Sequence, residues 1–164
     1  APSSPMLFRH RGVVFGAIGL IVVALAQPTQ ASLALGVPVL LAGLLLRLWA
    51  FAHLGPAGRT RDPAAPATRT VSGPYRWVAH PVYLANGLVA GGVLAAASPP
   101  SPIMVGAAGL VAIGYAALAL RESRQLAGVP ARSGLVLTGA RLLRSERSTW
   151  LSVGLLLAVV LVRV

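Results

Sequence analysis

The run Thr70-Val71-Ser72-Gly73-Pro74-Tyr75-Arg76-Trp77-Val78-Ala79-His80-Pro81-Val82-Tyr83 holds the densest mixture of polar and aromatic side chains in the sequence, and it leads straight into an apolar stretch. Pro81 suits the first position of a helix, where its missing N–H has no partner to lose, and it biases His80 away from helical backbone angles. His80 is therefore expected beside a helix start, with Tyr83 inside the first turn and Tyr75, Arg76 and Trp77 just ahead. Unpaired amide hydrogens and the positive end of the helix dipole make such a start an anion site. The same run also reads as an interfacial aromatic belt anchored by Arg. Another apolar stretch closes with Leu120-Arg121-Glu122-Ser123-Arg124. Glu122 is either an exposed partner for Arg121 or Arg124, worth little energy, or a carboxylate that receives a ligand ammonium. A ligand carrying both an α-carboxylate and an α-ammonium would fit between these two helix ends.

Arg47 lies within Leu44-Leu45-Leu46-Arg47-Leu48-Trp49, about two turns from the end of its apolar stretch. A charge at that depth is costly unless it snorkels to the near interface or lines a polar cavity, where it would hold an anionic group. His53, closer to the end, reads as an ordinary interfacial histidine. With no Cys, one Asp and three scattered His, no metal site, iron–sulfur cluster or Ser-His-Asp relay is expected.

These residues are carried by a chain of 164 residues that is 56% hydrophobic and 10% charged, with a mean hydropathy of +0.78. An ordinary soluble domain, about 45–50% apolar and 25% charged, is excluded. Apolar stretches at about 13–26, 31–54, 81–97, 103–120 and 150–162 predict an all-α fold: a polytopic transmembrane helical bundle of five spans, forming a single membrane domain over residues 1–164. All fourteen basic residues are Arg, facing only Asp62, Glu122 and Glu146, for a formal charge of +11. Apart from Arg47 inside the second stretch and Arg163 at the far end, they fall on alternate connections, whereas Gln27 to Gln30 and Ser98 to Pro102 carry no charge. Positive loops face the cytoplasm, so the N-terminus and the candidate site are expected there, in a multi-pass protein of a bacterial inner membrane. No basic stripe with interleaved aromatics sits on a soluble face, which argues against nucleic acid as a partner. Residues 9–26 also have the layout of a cleavable signal peptide. Gly12/Gly16 and Gly87/Gly91 have the four-residue spacing that lets helices approach closely.

Three segments carry a family likeness. Leu46-Arg47-Leu48-Trp49-Ala50 with Leu54-Gly55, the run Gly73 to Tyr83, and Arg121-Glu122-Ser123 resemble motifs of the isoprenylcysteine carboxyl methyltransferase and phospholipid N-methyltransferase superfamily of integral membrane enzymes, over a core of about 44–126. Ala79 stands where that family has Arg, Ser123 where it has a second acid, and Ala127-Gly128-Val129-Pro130 where it has a Phe-Gly-x-x-Tyr-x-x-Tyr pattern.

The resemblance implies S-adenosylmethionine as cofactor, bound at cytoplasmic helix ends, and a lipophilic acceptor (isoprenylcysteine carboxylate-like or phospholipid-like) entering from the bilayer. By position, Tyr75, Arg76, His80, Pro81 and Tyr83 would belong to the cofactor pocket, and Glu122 would meet the cofactor's amino-acid end. Transfer of a sulfonium methyl needs mainly alignment and exclusion of water. Arg47 or Arg76 would orient a carboxylate acceptor, whereas an amine or hydroxyl acceptor would need His80 or Glu122 as base. Two alternatives are an NADPH-dependent membrane reductase of sterol-type lipids, which carries a similar Arg-His-Pro-x-Tyr segment, and a non-catalytic ligand-binding membrane protein of the same fold.

Overall fold

A computed structural model describes residues 25–55, 68–97 and 101–163. Helix α1 (Gln30–Leu54) starts where Thr29 and Ser32 cap each other. The Ser32 amide donates to Thr29 Oγ1 at 3.1 Å, and the Thr29 amide to Ser32 Oγ at 2.8 Å, which satisfies two donors a bare helix start would leave unpaired. Helix α2 (Pro81–Ala97) begins at the predicted proline. Helix α3 (Pro102–Gln125) opens with Ser101 accepting from the Met104 amide at 3.3 Å and Pro102 in the first turn. Helix α4 (Gly139–Leu161) completes the described helices.

The first predicted span, 13–26, lies outside the described residues except for its last two positions. The stretches expected at 31–54 and 81–97 coincide with α1 and α2, while α3 runs five residues beyond the expected 120. The span expected at 150–162 is the second half of a longer helix: α4 starts at Gly139 and carries Arg141, Arg144 and Arg147 in its first half. Its first half is thus an Arg-rich helix rather than a loop. Among the described residues, two helices, α1 and Met104–Gln125 of α3, are long and apolar enough to cross a membrane. Helix α2, with 17 residues, reaches about 25 Å, shorter than a hydrocarbon core of about 30 Å.

Helices α1 and α2 pack antiparallel and close, and glycine is the reason. A Cβ on Gly36 would overlap the Ala96 backbone, one on Gly92 the Leu40 backbone, and one on Gly43 would lie 2.7 Å from the Val89 nitrogen. These glycines, not the predicted Gly87/Gly91 pair, bring the helices together. No atom lies within 4 Å of a Cβ built on Gly87 or Gly91, because both face away from α1. Gly12 and Gly16 are outside the described residues. Leu40 and Leu44 of α1 and Val153 of α4 form a buried core, flanked by Val89, Val93, Trp150 and Leu157. A second, smaller cluster joins Ala26, Ala97 and Val160 at the opposite end.

The end of α1 is tied down by chain far away in sequence. A helix leaves its last carbonyls without partners. Here the Val136 and Leu137 amides donate to the Ala52 carbonyl (2.8 and 3.0 Å), and Arg132 Nη2 donates to the carbonyls of His53 (3.2 Å) and Leu54 (3.1 Å). Arg132 is therefore a helix cap, placed where the negative end of the dipole favours a cation. The all-α expectation missed what aims it: β1 (Arg69–Thr70) pairs in parallel with β2 (Ala131–Arg132), Arg69 opposite Ala131. Between β1 and α2, a 3₁₀ turn at Gly73–Arg76 passes under the His53 ring. Gly73 has φ +59° and a Cβ there would overlap that ring, so both backbone angle and space demand glycine. Gly73→Ala is expected to lower stability by about 1–3 kcal/mol, read as a fall in unfolding temperature. An unchanged melting curve would show that the turn is not packed on His53.

Candidate active site at the joined helix ends

The start of α2 and the end of α3 meet through His80. Its Nε2 lies 2.5 Å from Ser123 Oγ and its Nδ1 3.9 Å from Glu122 Oε2. The imidazole is mostly buried, with its side chain 13% exposed, and the Glu122 side chain is 31% exposed. The anion site expected from α2's free amides is reduced, because the Tyr83 amide turns back to donate to the His80 carbonyl at 3.1 Å, alongside the Leu84 amide at 3.2 Å. Pro81 has no N–H to offer. The acidic side of the site is Glu122.

Tyr75 enters from the 3₁₀ turn. Its hydroxyl is buried without a hydrogen-bond partner among the described residues. Burial first, and then the nearby Glu122 and Tyr83, push its phenol well above the ordinary tyrosine range. It therefore stays a neutral hydroxyl able to donate to a ligand, and a buried donor without a partner is a costly thing to keep.

Aromatic rings continue inward from His80. The imidazole stacks on Tyr83 with centroids 5.8 Å apart, and Tyr83 stacks on Tyr115 of α3 at 6.0 Å, both at an interplanar angle of 28°. Below the rings lies a groove of about 460 Å³ between α2 and α3, overwhelmingly apolar, whose walls include Gly87, Gly91, Ala108, Ala112 and Ala116. Small residues here leave room rather than close it. The groove is within the size range of small-molecule sites.

Arg47 belongs to a different cluster. Its Nε donates to Glu146 Oε2 at 2.5 Å, another guanidinium nitrogen, Nη1, donates to Asn86 Oδ1, and its Cζ lies 4.9 Å from the Phe51 ring centroid. It neither snorkels nor sits beside His80: its counterion is an internal carboxylate, 1% exposed. Arg76 is exposed at the end of the 3₁₀ turn. Trp77 is exposed too and packs edge-on against Trp49 at 5.4 Å, the arrangement of an interfacial belt. His53 Nδ1 pairs with Ser72 Oγ at 2.9 Å, and Ser72 Oγ also accepts from the Gly134 amide at 3.0 Å. His53 thus serves the packing of the polar end.

Of the residues expected at the site, Tyr75, His80, Pro81, Tyr83 and Glu122 come together, and Arg47 and Arg76 stand apart. Ser123 stands in the sequence only as a departure from the family pattern and Glu146 only as one of three acids, while Asn86 and Tyr115 were not singled out. Asn86 and Tyr115 carried a usable signal, since each is a polar group inside an apolar stretch.

A helical bundle with two apolar, crossing-length helices among the described residues, a polar cluster at one end and an apolar groove leading from it is the make-up of a membrane protein. Residues 31–129 match the phospholipid methyltransferase family, and the chain belongs to that family. No curated protein and no solved structure matches it. Family and fold together make it a membrane methyltransferase.

Proposed function

We propose that this protein transfers a methyl group from S-adenosylmethionine to a lipophilic acceptor whose chain lies in the α2–α3 groove. The observation that carries the reading is His80, held between Ser123 and Glu122 where two helix ends meet, at the mouth of that groove. The residues fit the cofactor: Tyr75 offers a buried hydroxyl in need of a partner, Glu122 a carboxylate for the ammonium, and His80 and Ser123 further polar atoms. When bound, the cofactor supplies an electrophilic sulfonium methyl that needs no metal or acid activation. The chain's task is then to align the acceptor at about 3–3.5 Å and to keep water out. Tyr83 and Tyr115 wall the way in from the groove. Arg76, exposed four residues ahead of His80, is more available than Arg47 to an anionic acceptor head, since Arg47 is committed to Glu146 and Asn86. For an amine or hydroxyl acceptor, His80 or Glu122 would take the proton.

Titration of the purified protein with S-adenosylhomocysteine, and separately with NADPH, tests this. The first should bind and the second should not. NADPH binding alone would favour a reductase, and binding of neither a non-catalytic protein. His80→Ala and Glu122→Ala are each expected to weaken S-adenosylhomocysteine about 10- to 100-fold, the equivalent of one charge-assisted contact of about 1.5–3 kcal/mol, with unfolding temperature unchanged. Unaltered affinity in both variants would remove the pocket. A mass-spectrometric screen for lipids gaining a methyl group on expression identifies the acceptor.

A further inference from the structure

We infer that Glu146 of α4 is a positioning residue for the candidate site, acting through Arg47, Asn86 and Tyr115 on the ring stack that ends at His80. Glu146 lies beyond the residues that match the family, 31–129, so this chain's last helix supplies the counterion for an arginine of the matched core. Each link is directional. A guanidinium is planar, so fixing Arg47 Nε on Glu146 fixes where the Nη1 donor points, and it points to Asn86 Oδ1. With its carbonyl oxygen held there, the Asn86 side chain lies close enough to the Tyr115 hydroxyl to interact with it. Tyr115 stacks on Tyr83, Tyr83 on His80, and His80 meets Ser123. The contacts run without a gap from a buried carboxylate on α4, across α1 and α2, to the joined ends of α2 and α3. A pair that merely stapled α4 to α1 would have no need of Asn86 or Tyr115. A polar network whose members are all satisfied is rigid, and whether it couples its two ends is decided by measuring that coupling.

The chain has three tyrosines, so ring-labelled tyrosine gives three NMR signals, assignable by single Tyr→Phe changes in the ligand-free protein. Glu146→Gln and Asn86→Ala are each expected to shift the Tyr115 signal, and Glu146→Gln is expected to add nothing further in an Asn86→Ala background, because the two act in series. A Tyr115 signal unmoved by Glu146→Gln, or moved as far without Asn86 as with it, overturns the inference. Should Glu146→Gln fold poorly, Arg47→Lys, which keeps a cation beside Glu146 but lacks the planar fork, carries the same measurement. A second arm rests on the methyltransferase reading: Glu146→Gln and Asn86→Ala should each weaken S-adenosylhomocysteine about threefold to tenfold, and no further when combined, through slackening of the His80 stack. Losses that multiply in the double variant count against the inference. Failure of the wild-type protein to bind S-adenosylhomocysteine counts against the proposed function alone, and the NMR arm then decides the role of Glu146.

Discussion

Arg47→Met is expected to destabilise this protein by about 3–5 kcal/mol, and Arg47→Met combined with Glu146→Leu to recover most of that loss. The Glu146 side chain is 1% exposed and its Oε2 lies 2.5 Å from Arg47 Nε. Removing the arginine takes the cation away from a buried carboxylate, and breaking one side of a buried pair typically costs about that much. Replacing both members with apolar side chains removes both buried charges, and such double replacements are often neutral or better. Reversible unfolding in a mild detergent measures both. A double variant as unstable as the single would show that the pair is held for packing shape, not charge. The double variant also separates two roles of Glu146, since it should be stable yet still shift the Tyr115 NMR signal, having lost the Arg47 fork that orients Asn86.

The starts of α2 and α3 were legible because they are written in local chemistry, whereas that of α4 at Gly139 was not. Pro81 after a polar aromatic run placed α2, and Ser101-Pro102 places α3 in the same way. The meeting of His80 and Glu122 was legible from topology: consecutive antiparallel helices bring the start of one to the end of the next. What the sequence could not display is the choice among equivalent residues. Glu146 sits among Arg144 and Arg147 and looks like any solvated acid, and its partner is 99 positions away. Arg132 reads as one more loop arginine until the two-residue strand pair swings it under the α1 carbonyls. The amides of α2 looked available for an anion, but the Tyr83 amide closes back on His80, and that depends on how tightly the first turn winds. Spacing of Gly87 and Gly91 suggested close approach, yet a four-residue interval says only that two residues share a face, not what that face meets.

That last point yields a sharp contrast between neighbours. Gly91 and Gly92 are adjacent on α2, and one residue turns a helix by about 100°. A Cβ on Gly92 would overlap the Leu40 backbone, whereas one on Gly91 meets nothing within 4 Å and enters the α2–α3 groove. Gly92→Leu should therefore cost more than about 3 kcal/mol, since backbone cannot yield as a side chain does, and little folded protein should survive detergent extraction. Gly91→Leu should fold at least as well as wild type, because replacing glycine inside a helix gains up to about 1 kcal/mol of helix propensity. The groove would be the loser. If the acceptor's chain lies there, Gly91→Leu abolishes uptake of a fluorescent long-chain amine probe while leaving S-adenosylhomocysteine affinity within about threefold, a difference of less than 1 kcal/mol. Retained uptake would place the lipophilic chain elsewhere. A destabilised Gly91→Leu beside a tolerated Gly92→Leu would mean that α2 is rotated and that α1, not the groove, faces Gly91.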